Sequence, residues 1–193
     1  IRHLRLVQLY GRFWFKFYRP RIDRSPAPSL NSHQGVWLKV VQRPASMVGP
    51  FSFRFLNRTH SLTESRGWED LDSEKLWLYN LHYFDDLNAD NAQERTRWHR
   101  DLINRWILEN EPGEGTGWEP YPTSLRIVNW IKWALAGNSL DSDWQHSLSI
   151  QTRWLRRRLE WHLMGNHLFA NGKALIFAGV LFEGLEADGW GKD

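Results

Sequence analysis

The sequence predicts an all-α chain of antiparallel helical hairpins, preceded by an irregular or short-strand N-terminal arm. Two observations carry that expectation. From Trp68 onward, apolar residues recur at helical spacing in several segments of roughly 16–24 residues. Proline and glycine punctuate the gaps between them, at Pro112 to Gly117, at Gly137 and at Gly165. Helices joined by short polar loops pack back on one another. Such hairpins build a bundle, a solenoid or a closed toroid. No regular internal repeat is visible, which argues against a solenoid, and periodicity does not choose between the other two.

The first 55 residues form the arm. Residues 1–18 mix Leu, Phe and Trp with Arg and Lys, as in a helix packed on the body with its charges in solvent or lying weakly on an anionic membrane surface. Residues 19–35 hold Pro20, Pro26 and Pro28 and read as a loop. Val36 to Val41 and Phe51 to Leu56 have extended character, the second through the alternation F-S-F-R-F-L. Residues 56–193 form the helical domain. A short buried helix follows Ser73, and a longer one from about Asn91 to Glu109 carries Trp98, Leu102, Ile103, Trp106 and Ile107 on one face. Pro120 and Pro122 start a nearly all-apolar helix reaching Ala136, in which Arg126 and Asn129 are the polar exceptions. For Arg126 a structural ion pair and a ligand contact weigh equally. The next helix runs from Asp141 or Ser142 to Gly165, its Arg153, Arg156, Arg157 and Arg158 forming a solvated face. The last runs from Asn166 to about Leu185.

Composition narrows the function classes. The chain of 193 residues is 41% hydrophobic and 24% charged, which fits a folded domain with a sizeable core. It has no cysteine, so neither a disulfide framework nor a thiolate metal site is expected, and the compartment stays open. Residues 1–24 carry seven basic groups against Asp23 alone, a net of +6, whereas the rest of the chain is net −3. A global nucleic-acid surface is therefore not indicated. The 13 tryptophans point chiefly to core, although indole faces also stack on sugar rings. The carboxylates Glu69, Asp70, Asp72, Asp85 and Asp86 read as solvated or capping groups. No zincin, phosphate-binding or nucleophile-elbow signature occurs.

The richest stretch is E-W-H-L-M-G-N-H-L-F-A-N-G, Glu160 to Gly172. Gly165 breaks one helix, and Asn166 and His167 open the next, with Asn171 and Lys173 within two turns. Asn166 is suited to cap that helix. Four polar groups heading an otherwise apolar helix are equally suited to face a ligand.

Three stretches together resemble the N-terminal α/α-toroid domain of the heparinase II/III-like polysaccharide lyases. They are F-L-N-R (Phe55 to Arg58) leading to L-W-L-Y-N-L-H-Y-F-D-D-L (Leu76 to Leu87), G-W-E-P-Y-P-T-S-L-R-I-V-N-W (Gly117 to Trp130), and H-L-M-G-N-H-L-F-A-N-G-K-A-L (His162 to Leu175). The resemblance implies an incomplete α/α toroid acting on an anionic, uronate-containing polysaccharide by β-elimination, without a metal or other cofactor. Asn166 and His167 would be catalytic, holding the uronate carboxylate, and Tyr83, Glu119, Arg126 and Asn171 would contact sugar or support the groove. It implies further that the family's catalytic Tyr and C-terminal β-sandwich lie beyond Asp193, so that this chain alone is expected to have little or no activity. It favours the periplasm or cell envelope. The alternative is a non-catalytic glycan-binding or scaffold protein of bacterial surface-polysaccharide metabolism.

Overall fold

The computed structural model describes residues 6–32, 38, 42–63, 65–70, 74–163 and 165–192. The chain is mostly helical, with one small antiparallel sheet. Helix α1 (Leu6–Phe17) is followed by an extended segment and three short strands, β1 (Met47–Gly49), β2 (Ser52–Phe55) and β3 (Arg58–Ser61), in the order β1-β2-β3. Phe53 pairs with His60 and Phe55 with Arg58. The sheet therefore continues across position 55, where the sequence divides arm from helical domain. Most of the extended segment expected at Val36 to Val41, together with Asp72 and Ser73 ahead of the short buried helix, lies outside the described residues.

The helical part comprises α2 (Lys75–Tyr83), α3 (Thr96–Glu109), α4 (Pro120–Leu135), α5 (Ser142–Arg156), α6 (Gly165–Leu181) and α7 (Leu185–Trp190). Proline at the first position suits α4, because that residue has no intrahelical N–H partner to lose. Helices α2, α4 and α6 form one layer. The aromatic ring of Tyr83 meets Tyr121, and Asp85 just beyond α2 meets Asn129 on α4. Tyr121 in turn meets His167 and Ser124 meets Asn171, so the three helices run in one direction. Helices α3 and α5 return the chain outside that layer and pack on each other, where Trp144 Nε1 donates to Asn104 and Arg100 pairs with Asp141.

Between the layers lies a tryptophan core. Trp68, Trp106, Trp130, Trp144 and Trp190 are almost completely buried, and Trp106 packs edge-on against Trp130 and Phe84. Arg126 is embedded in it with no exposure, its guanidinium 3.8 Å from the Trp106 ring centroid. It donates to Gln151 Oε1 (2.9 Å) and to the Gly117 carbonyl (2.8 Å). Neither the ion pair nor the sugar contact is therefore its role: neutral acceptors and an indole face satisfy it, and burial lowers its pKa.

Three helix boundaries differ from the sequence expectation. Helix α3 starts at Thr96, after a separate turn over Ala92–Arg95, and not near Asn91. Helix α5 stops at Arg156, nine residues before Gly165, and of its arginine cluster Arg156 and Arg157 are exposed as expected but Arg153 and Arg158 are not. Arg153 is buried, forks onto Glu186 (2.6 and 2.8 Å) and donates to the carbonyls of Ser25 and Pro26. Arg158 turns out of the helix to donate to Phe15 O and Tyr18 O. Helix α6 ends at Leu181 because Phe182 bridges to Leu30, and Gly184, at φ +99°, then starts α7. The basic side chains thus anchor the arm, and they do so mostly through backbone carbonyls that composition cannot display.

Of the carboxylates expected to be solvated or capping, Asp86 departs from that expectation, whereas Glu69 is exposed and bonds the first N–H of the Thr116 turn. Asp86 is buried and accepts from Ser46 N, Met47 N (2.9 Å), Arg95 Nε (2.7 Å) and His99 Nε2 (2.8 Å). Glu69 accepts from the Thr116 backbone and hydroxyl, and Asp85 pairs with Arg43 (2.9 Å).

Candidate functional site

At the leading ends of α4 and α6 the polar residues converge. Tyr79 and Tyr83 stand one turn apart on α2, their ring centroids 6.3 Å apart. Tyr121 follows at 6.0 Å from Tyr83, and the His167 ring lies 4.5 Å from Tyr121. Glu119, just before α4, accepts a short hydrogen bond from the Tyr79 hydroxyl and pairs with Lys75 Nζ at 2.8 Å. The result is a row of three phenol rings edged by a carboxylate at one end and the His167 imidazole at the other.

Glu160 forms the wall behind His167. It is almost fully buried, and its Oε2 lies 3.1 Å from His167 Nδ1. Burial raises its pKa, and the Glu119 charge adds to this, while His167 and Asn171 oppose it. With the Nδ1 hydrogen directed at Glu160, Nε2 is the ring nitrogen available to a ligand. Burial pushes the Tyr79 phenol well above its ordinary value, helped by Glu119, and pushes Tyr83 up as well, helped by Tyr121 and Asp85. Both therefore stay protonated donors near neutral pH.

Asn166 lies in the first turn of α6, exposed, with no side-chain hydrogen bond among the described residues. It is not the cap: the helix already begins at Gly165, whose φ of +53° suits glycine and makes the break. The side-chain amide is left pointing to solvent, one residue from His167.

Asn171, expected to contact sugar or support the groove, has no exposure at all. Its Oδ1 accepts from Glu160 N (2.8 Å), and its Nδ2 donates to Ser124 Oγ (2.9 Å) and Glu160 Oε2 (3.3 Å). It fixes the wall of the site and does not face it. Asn171→Ala is expected to cost about 1–3 kcal/mol, because it strands a buried N–H and weakens the hold on a buried carboxylate. Chemical denaturation checks this: the midpoint should fall with the slope unchanged. An unchanged midpoint would show that the polar contacts of Asn171 carry no stability.

Of the remaining residues expected from sequence, Tyr83, Glu119 and His167 are linked through the ring row, Asn166 adjoins His167 in the chain, and Arg126 lies in the core. Sequence reasoning missed Tyr79 and Glu160. Tyr79 had a signal in its i, i+4 spacing to Tyr83. Glu160 had none, because a turn separates it from the helix it serves. Among the described residues no group of three or more His, Asp or Glu could hold a metal ion, and no helix is long and apolar enough to cross a membrane. No family model, curated protein or solved structure matches the chain.

Proposed function

We propose that the chain is part of a polysaccharide lyase that cleaves uronate-containing anionic glycans by β-elimination, and that its helices are part of an α/α toroid. The observation that carries the reading is the ring row ending at His167, beside the unbonded amide of Asn166. The partly exposed rings of Tyr79 and Tyr121 could stack on sugar rings, with the buried ring of Tyr83 behind them, and Asn166 and His167 would hold a carboxylate. In β-elimination the C5 proton leaves, a C4–C5 double bond forms, the C4–O4 bond breaks and O4 takes up a proton. Charge accumulates on the uronate carboxylate as C5 loses its proton. A neutral amide donor and an imidazole beside it stabilise that state. The parallel layer of α2, α4 and α6 with α3 and α5 outside supports a toroid segment. So does the exposed apolar edge of α6 at Phe169, Ile176 and Val180.

The test follows the ultraviolet absorbance of the 4,5-unsaturated uronate product. The native polypeptide carrying these 193 residues is offered heparan, chondroitin, hyaluronan, alginate and bacterial capsule polysaccharides. Product on one of these is the expected result. Binding without product on any of them would favour the non-catalytic glycan-binding or scaffold reading. One observation speaks for that second reading: Tyr79 and Tyr83, the phenols beside the site, are pushed away from acting as bases.

The proposal extends to a weak membrane contact at α1. Gly11 and Phe15 face the body at His162, whereas Tyr10, Phe13, Trp14 and Phe17 are each more than half exposed. Arg12, Lys16 and Arg19 flank them and are exposed. Co-sedimentation with phosphatidylserine-containing vesicles is expected at low salt and should be lost at high salt. Failure to sediment at low salt would remove the contact.

A further inference from the structure

The row of rings does not end the open face of the helix layer. On α4, Tyr121, Leu125, Val128 and Lys132 follow at spacings of four, three and four, which is one stripe of a helix. On α6, Lys173 lies seven residues after Asn166, on nearly the same face and roughly 10 Å further along the axis. The two lysines meet at a cavity of about 120 Å³, also lined by Arg43, Asp85, Asn88 and Asn129.

The charges here do not balance. Asp85 is already taken: it pairs with Arg43 at 2.9 Å and accepts from Asn129 Nδ2 at 2.7 Å. The amide of Asn88 is likewise turned onto Asn129. Lys132 and Lys173, both partly buried, are left without a carboxylate at ion-pair distance among the described residues. Burial lowers the pKa of Lys132, and the nearby Lys173 charge lowers it further. Two half-buried cations held side by side cost free energy unless a negative charge joins them.

We infer that Lys132 and Lys173, with Arg43 at the rim, form a binding site for an oxyanion: the carboxylate or sulfate of a sugar unit neighbouring the one held at Asn166 and His167. The inference rests on the glycan reading for the identity of the occupant, but not for the anion chemistry. An ammonium pair takes either group as a point charge and imposes little geometry, so this subsite reads charge and not sugar stereochemistry. It would set the preference for polymers that are charged on successive units over those charged once per repeat.

Titration of the chain with inorganic sulfate, followed at the lysine side-chain resonances, tests the site directly. Sulfate should shift Lys132 and Lys173 together, and Lys132→Gln or Lys173→Gln should weaken binding about tenfold or more. Both variants relieve like-charge repulsion, so unfolding midpoints at or above wild type are expected. Sulfate affinity unchanged in the double variant overturns the site. Oligosaccharides of heparan sulfate, chondroitin sulfate and alginate should then compete with sulfate. If sulfate binds through the lysines and none of the oligosaccharides competes, the anion site stands and the glycan reading falls. If the oligosaccharides bind but the double variant binds them as tightly as wild type, the glycan reading stands and this subsite falls.

Discussion

Asp86→Ala is expected to lower the unfolding free energy by about 3–5 kcal/mol, the cost of stripping one partner from a buried charge network. The carboxylate sits between three parts of the chain. Its oxygens take the backbone N–H groups of Ser46 and Met47 from the arm, Arg95 from the 3-10 turn before α3, and His99 from α3 itself. His99 is fully buried and its Nδ1 has no partner, so Asp86 is what fixes the ring. Removing it leaves two inward N–H groups, the Nε–H of Arg95 and that imidazole without an acceptor, while the other two nitrogens of the guanidinium keep the carbonyls of Asn91 and Asp90. Burial alone would raise the Asp86 pKa, but His99, Arg95, Met47 and Ser46 together hold it down, from 3.8 to about 2. A folded-state pKa below the unfolded one means that the stabilisation is complete above the ordinary value and fades as pH falls through the folded one. That part of the network is worth about 2 kcal/mol. Stability measured against pH for wild type and Asp86→Ala checks both statements, since the difference between the curves should shrink on the acid side. Parallel curves would mean that the Asp86 pKa is the same in the folded and unfolded chain, and a variant as stable as wild type would mean that the arm is held by other contacts.

The fate of Asp86 shows what a sequence displays and what it withholds. Helical spacing and the Pro-Gly punctuation placed the end of α3 and both ends of α4 closely, because those boundaries are set by local backbone chemistry. They misplaced the ends of α5 and α6, because those ends are set by distant partners: the carbonyls of Phe15 and Tyr18 at Arg158, and Leu30 at Phe182. Polar residues suffered most. Arg126, Asp86, Arg153 and Asn171 each looked suited to solvent or a ligand, and each is buried against acceptors or donors from remote parts of the chain. Composition cannot show such satisfaction, since half of the partners of Arg126 and Arg153 are backbone carbonyls. The stretch from Glu160 to Lys173 was legible as polar and interrupted, but not the division of labour within it. Glu160 and Asn171 turned inward to build the wall, and Asn166 and His167 were left at the opening.

That division makes Asn166→Ala the sharper probe of function. Under the lyase reading the variant should lose about a hundredfold or more in kcat, the usual cost of removing one neutral donor from a developing anion. The ground-state carboxylate already carries its charge and can be held by His167 and by nearby cations. The additional charge that arrives as C5 loses its proton is what the amide would serve, so kcat should fall while KM changes little. The position of Asn166 in the first turn of α6 adds the positive end of the helix dipole in the same direction. Because its side chain is exposed and bonded to nothing among the described residues, the substitution should leave stability within about 0.5 kcal/mol of wild type. Loss of rate with unchanged stability separates Asn166 from Asn171, whose loss should appear first as a lower denaturation midpoint. Equal rates for wild type and Asn166→Ala in the uronate assay would remove Asn166 from the chemistry and move the carboxylate contact to His167. A higher KM with kcat retained would assign Asn166 to binding alone, as a glycan-binding surface without elimination chemistry would require.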